Sequence, residues 1–234
     1  MITQHFKKVL LVLVCFSFVS WANPLPEVFL IGDSIAGHYR PYLESYISGM
    51  ARLNWKRDNG QAEENLDVPT GSNGGDSRMV LEYLKSKMKD PDFKPAYLLL
   101  NCGLHDIKHD PKTGSIQVSE DNYRKNLNEI AQMTKDRNIK LIWVKTTWVV
   151  DDIHNPRQKL FYRYGEDVIR YNAIADEICK AYHIPTIDLH DFTKKLGEKK
   201  FIDHVHYNES TRALQAAYIA GSLEMILKGK SANQ

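Results

Sequence analysis

Val28-Phe29-Leu30-Ile31-Gly32-Asp33-Ser34 is the stretch on which the fold turns. Four consecutive apolar residues stopped by Gly-Asp are too few for a helix, so residues 28–31 predict a short buried strand. Helical periodicity follows at once, to about Met50. The alternation then repeats down the chain. Residues 51–55 can form a second strand, and residues 56–75 are a polar loop rich in Gly, Asn and Asp. Residues 77–87 return to helical spacing through Val80, Leu81 and Leu84, and residues 96–100 are another apolar run, broken at Gly103. Ser119 is a natural N-cap, with Glu120 and Asp121 in the first turn where a helix favours negative charge. Tyr123, Leu127, Ile130 and Met133/Thr134 mark one face of that helix. Val168, Tyr171, Ile174/Ala175 and Ile178 mark another. Residues 141–145 and 186–189 predict strands, and residues 211–227 a strongly apolar last helix.

Strands separated by helices imply βαβ units and a parallel sheet covered on both faces, an α/β fold. Sites in such sheets form beyond the carboxyl ends of the strands. Ser34, the run from Cys102 to Asp106, Thr146-Thr147-Trp148 and Asp188-Leu189-His190 all fall just past strand ends and should share one rim. With no repeat, linker or low-complexity stretch, residues 23–234 read as one domain.

The 234 residues are 43% hydrophobic, 26% charged and 10% aromatic, which excludes a disordered tail, a fibre and a polytopic membrane protein. Residues 1–22 have the layout of a secretory signal: His5, Lys7 and Lys8, then the apolar run 9–19, then Ser20-Trp21-Ala22 as a small-x-small cleavage site. The run is too short for a membrane span, which needs about 20 residues. The expectation is export to the periplasm or beyond, with cleavage near Ala22 and no stable membrane insertion afterwards. Lys7 and Lys8 are the leader's only formal charges. Removing them takes the 31 basic residues to 29, against 29 acidic ones, a mature net charge of zero. That balance gives no electrostatic case for a nucleic-acid partner. Beyond Cys15, only Cys102 and Cys179 remain, too few for a disulfide framework and without CxxC spacing for a metal. Both read as buried. His109, His154, His183 and His190 also lack metal-ligand spacing. Glu63-Glu64 and Asp151-Asp152 read as solvated loop charge.

A Ser between a strand and a helix can present its hydroxyl at the sheet rim, beside N–H groups that the helix leaves free. It can equally be an ordinary N-cap. Asp203-His204-Val205-His206, just before the last helix, supplies what a serine nucleophile needs: an imidazole base and a carboxylate to orient it. His204 is a rival base. Together, Gly32-Asp33-Ser34 and Asp203-x-x-His206 resemble the SGNH (GDSL-type) hydrolase superfamily, over nearly the whole mature chain. The resemblance implies a three-layer α/β/α sandwich with a flavodoxin-like parallel sheet, and hydrolysis of esters without metal or cofactor. It matches Ser34 to the nucleophile and Asp203 and His206 to its partners.

The family's second block, matched by Asn73-Gly74-Gly75-Asp76-Ser77, implies an oxyanion-hole N–H from Gly75, with Gly74 as the alternative. Its third block is usually Gly-x-Asn-Asp. Here it reads Gly103-Leu104-His105-Asp106, similar to a bacterial branch that carries this variant, so the third donor is His105 or Asn101. Asp106 is expected to be a structural acceptor. Trp148 can stack on a sugar ring or close the core, and His38, Tyr39 and Arg40 can line the pocket. The expected substrate is a short, O-acetyl-type ester on a small molecule or polysaccharide. A lipid esterase, lysophospholipase or thioesterase is the alternative within the fold, and a non-catalytic carbohydrate-binding relative the alternative outside catalysis.

Overall fold

The computed structural model describes residues 24–229. The leader, its cleavage site and Cys15 lie outside those residues. Five strands, β1 (Glu27–Ile31), β2 (Arg52–Trp55), β3 (Tyr97–Leu100), β4 (Lys140–Val144) and β5 (Thr186–Ile187), form one all-parallel sheet in the order β2-β1-β3-β4-β5. Strand order reverses at β1. The crevice between the carboxyl ends of β1 and β3 is therefore the topological switch point, where open α/β sheets bind ligands. Val28, Leu98, Leu99 and Leu100 are fully buried, as expected for strands covered on both faces.

The helices are α1 (Ser34–Ile47), α2 (Gln61–Glu64), α3 (Ser77–Lys87), α4 (Glu120–Asp136), α5 (Asp151–Arg157), α6 (Gly165–Tyr182), α7 (Leu189–Leu196) and α8 (Glu209–Leu227). Helix α1 packs on α8 and α7 on α8, while α3 packs on α4 and α4 on α6, so two helical layers enclose the sheet. Ala216 and Ala220, one turn apart on α8, are buried and short enough to let a neighbouring helix approach closely. Phe192 of α7 stacks on Tyr218 of α8 with ring centroids 4.4 Å apart.

The caps explain the helix starts. Asp33, Asp76, Ser119, Asp188 and Asn208 each accept a backbone N–H from the first turn of the helix they precede. Gly32 has a steric reason to be glycine: a Cβ there would lie 2.4 Å from the Cβ of Ala36, so any side chain would push α1 off the strand that feeds it. The elements follow the sequence pattern with four corrections. Glu63 and Glu64, expected in a loop, lie in the one-turn helix α2 inside residues 56–75. Helix α1 stops at Ile47 rather than near Met50. Asp151 and Asp152 open α5 instead of sitting in a loop, and Asp151 Oδ1 accepts the Gly165 N–H at 2.7 Å. The strand expected over residues 186–189 is only Thr186–Ile187, because the Asp188 carboxylate accepts the Asp191 N–H and turns Leu189 into the first residue of α7. Cys102 and Cys179 are buried and free. Burial pushes the Cys102 thiol far up, helped by the charges of Asp106, Asp76 and Asp33, and pushes that of Cys179 up to about 12. Neither can serve as a thiolate at neutral pH.

Candidate active site

Ser34 is the first residue of α1, placed at the carboxyl end of β1 by the Asp33 cap, whose Oδ1 accepts the Ile35 N–H at 2.9 Å. Its own N–H belongs to the first turn, which the helical ladder leaves unused. His206 comes from the loop before α8, 172 positions away, and its Nε2 lies 2.8 Å from Ser34 Oγ. The other ring nitrogen, Nδ1, is 2.7 Å from Asp203 Oδ2. Asp203 Oδ1 in turn accepts the N–H groups of Val205 at 2.8 Å and His206 at 2.7 Å. The D-x-x-H spacing thus makes a turn whose carboxylate holds the His206 backbone with one oxygen and its ring with the other. Partial burial alone would raise the Asp203 pKa. The hydrogen bond and charge of His206, with the two N–H donors, outweigh that and hold the carboxyl far below the usual range. An ionised Asp203 accepts from Nδ1–H, so Nε2 carries the lone pair that faces the Ser34 hydroxyl.

His204 plays a different part. Its Nε2 sits 3.2 Å from the Asp67 carboxylate, and it makes no hydrogen bond to Ser34. Asp67 is a hub: Oδ2 also accepts from Gln158 Nε2 at 2.6 Å, and its backbone carbonyl accepts from Lys108 Nζ at 2.6 Å. One residue of the polar 56–75 loop therefore ties together the segments that carry residues 108, 158 and 204. Asp203, His204 and His206 each offer one possible metal-ligand atom, all within 4.8 Å of one another, but Asp203 and His206 already spend theirs on the chain to Ser34.

The expected oxyanion donors separate. Gly75 has φ +75°, a conformation suited to glycine, and a Cβ there would lie 2.6 Å from Met79 Sδ and 2.9 Å from Pro69 Cβ. Its N–H donates to Asn73 Oδ1 at 3.0 Å. The Gly74 N–H is fully committed to the Gly32 carbonyl at 2.8 Å. Asn101 spends its amide nitrogen on the Val144 carbonyl at 2.8 Å. The His105 ring is buried and makes no hydrogen bond among the described residues. Burial first, then the charges of Lys108, Arg163 and His206, push its pKa far down, so it is neutral with one N–H to give. Asp106, fully buried, accepts the Ser77 N–H at 2.9 and 3.0 Å and anchors the start of α3, a structural position. Trp148 packs against Phe201 with centroids 5.9 Å apart and does not line the cavity at Ser34.

Two buried residues had no signal in the sequence. Arg163 donates from Nε to the Leu104 carbonyl at 2.6 Å, beside His105, and its guanidinium lies 4.7 Å over the Phe161 ring. Its Nη1 is 3.2 Å from His154 Nε2, which must therefore accept. Burial, reinforced by the charges of Arg163 and His204, accordingly lowers the His154 pKa to about 3. A cavity of about 430 Å³ opens at Ser34, walled by α1, α8 and the 56–75 loop. A second, of about 310 Å³, lies at the opposite end of the sheet beside Tyr97, Ile139 and Pro185, away from these groups.

A sequence model of the GDSL-like lipase/acylhydrolase family matches residues 30–214. Among curated protein sequences none matches the chain. The fold is similar to that of a lipase/acylhydrolase from Enterococcus faecalis, with TM-score 0.64 and 18% identity over 89% of this chain and 100% of that one. It is also similar to an acetyl xylan esterase from Geobacillus stearothermophilus, with TM-score 0.59 and 16% identity over 89% and 97%. A third structure, an acetyl xylan esterase named AlAXEase, aligns with TM-score 0.60 and 16% identity over 84% and 99%.

Proposed function

The chain belongs to the GDSL-like lipase/acylhydrolase family and is a hydrolase of ester bonds, and from that premise we propose that it is an exported serine esterase that removes short acyl groups, acetyl above all, from carbohydrate. The observation that carries the reading is the unbroken chain Asp203–His206–Ser34, with links of 2.7 and 2.8 Å. Ser34 Oγ attacks the ester carbonyl as its proton passes to His206 Nε2. Asp203 stabilises the imidazolium. Collapse of the tetrahedral intermediate expels the alcohol, which takes the proton back from His206. Water then repeats the sequence on the acyl-enzyme and releases the acid. The negative charge on the carbonyl oxygen is received by the Ser34 N–H, the Gly75 N–H once it is shared with or released by Asn73, and the His105 ring.

Export rests on residues 1–22. The carbohydrate alcohol is supported by the cavity wall, where His38, Arg40, Ser72 and Asn73 offer hydrogen bonds rather than a long apolar channel. A series of 4-nitrophenyl esters from acetate to decanoate tests the acyl part. Acetate should have the highest kcat/KM, and a clear preference for octanoate or longer would replace this reading with a lipid esterase.

His105 carries a separate expectation. A correctly aimed oxyanion donor is worth about 10²–10³ in rate. His105→Ala should lower kcat on the acetyl ester by that order per folded molecule, beyond the moderate fall in Tm that truncating a buried ring brings. A large fall in Tm with unchanged turnover by the folded fraction would instead make His105 a packing residue.

A further inference from the structure

Two arginines line the cavity at Ser34: Arg40 from α1 and Arg212 from α8. Both are half-buried, and among the described residues neither has a carboxylate within 4 Å. Arg52, Arg78, Arg124 and Arg170 each pair with an acid, while Arg57, Arg137, Arg157 and Arg163 do not but lie on a ring or donate to a backbone carbonyl away from this cavity, so Arg40 and Arg212 are the acid-free arginines that line it. Arg40 and Arg212 are held instead by an aromatic ring and a backbone carbonyl. The Arg40 guanidinium lies 4.6 Å from the centroid of Trp55, a ring that Arg57 also covers at 3.4 Å. Arg212 donates only its Nε, to the Tyr207 carbonyl at 2.8 Å, and its two terminal nitrogens make no hydrogen bond among the described residues.

The acids on the same wall are Asp33 and Glu63; next to it, Glu209 accepts the hydroxyl of the lining residue Tyr42 at 2.8 Å and the charge of Asp203 reaches His38. Asp33 is buried, spends Oδ1 on capping α1, and has its carboxyl pushed up by that burial against the pull of the Ile35 N–H. Glu63 is exposed at the rim. Burial first, then the charges of Arg212 and His206, lower the His38 pKa to about 4 against the opposing charge of Asp203.

A substrate that covers two half-buried guanidiniums strips their water. A neutral sugar returns only hydroxyl acceptors, whereas a carboxylate returns charge-assisted, fork-matched hydrogen bonds. We propose that the ester is carried on an acidic sugar, and that Arg40 and Arg212 receive its carboxylate while the acyl group lies at Ser34. This rests on the esterase reading and narrows it to a substrate class.

The test compares acetate release from acetylated polygalacturonate and from acetylated xylan of matched acetyl content, with 4-nitrophenyl acetate run alongside. The wild type should favour the acidic polymer by about tenfold or more in kcat/KM. About 0.5 M NaCl, which shrinks the screening length to a few ångström, should erode that preference. Arg40→Gln should lower the acidic-to-neutral ratio by about tenfold, and Arg40→Lys, which keeps the charge, should retain part of it. Equal or better use of xylan, or a ratio unchanged in Arg40→Gln, would overturn the proposal. Turnover of 4-nitrophenyl acetate with no acetate from either polymer would overturn it and leave the esterase reading standing. No turnover of any ester would overturn both.

Discussion

Replacing Ser34 with alanine should reduce hydrolysis of a chromogenic acetyl ester by about 10⁴–10⁶-fold, the range seen when a serine nucleophile is removed from an otherwise intact site. The size follows from the absence of a substitute. Cys102 is the other nucleophile type near the rim, but its thiol is held protonated by burial. Ser77 Oγ accepts the Asn126 amide at 3.0 Å and lies at the start of α3. Among the described residues no second hydroxyl is hydrogen-bonded to His206. Loss of the Ser34 hydroxyl removes one hydrogen bond at a small side chain, so Tm should change little and the variant should fold. The readout is the rate per folded molecule, with Tm measured on the same preparation. Wild-type turnover in Ser34→Ala would show that Ser34 is only the first residue of a helix, and the serine mechanism would fall.

Much of this site is legible in the chain because its parts are local. An apolar run stopped by Gly-Asp puts Ser34 beyond a strand, and Asp203-x-x-His206 closes a turn by backbone geometry alone. The parallel-sheet rule then brings both to one rim although 172 positions separate Ser34 from His206. The supports were not legible, because they join residues that no short-range pattern connects. Asp67 and Gln158 are 91 positions apart, and Arg163 and Leu104 are 59. A loop of polar residues looks the same in sequence whether it is solvated or pinned by a carboxylate, so residues 56–75 gave no hint that Asp67 anchors one wall of the cavity. The short helices α5 and α7 were missed for a related reason. Seven and eight residues span too few turns to show a 3.6-residue period, and Pro156 inside α5 reads as a breaker. The choice among donors likewise needed coordinates. Gly74 and Gly75 are equivalent in sequence, yet one N–H is fixed in a 2.8 Å backbone bond and the other is held by the Asn73 side chain that lines the cavity.

Asp203→Asn should be nearly as damaging as loss of the nucleophile, lowering kcat by about 10³–10⁴, because the carboxylate decides which imidazole nitrogen holds the proton. With Asp203 ionised, Nδ1 donates and Nε2 keeps its lone pair for Ser34. An asparagine amide can present its NH₂ to the ring, which turns Nδ1 into an acceptor and puts the proton on Nε2, facing the hydroxyl it should deprotonate. The variant also carries a stability signature with a definite sign. The folded Asp203 pKa lies far below the ordinary aspartate range, with burial opposing the shift and His206 and two backbone N–H groups overcoming it. A depressed carboxyl binds its proton in the unfolded chain first, so its contribution to stability is present above about pH 4 and is lost as pH falls toward the folded value. The Tm difference between wild type and Asp203→Asn should therefore be largest near neutral pH and shrink below about pH 4. Thermal melts across pH 3 to 8, paired with kcat at pH 7.5, check both parts. A Tm difference that stays constant with pH would mean that Asp203 is not stabilised as the anion in the fold. A kcat within tenfold of wild type would mean that it does not set the His206 tautomer.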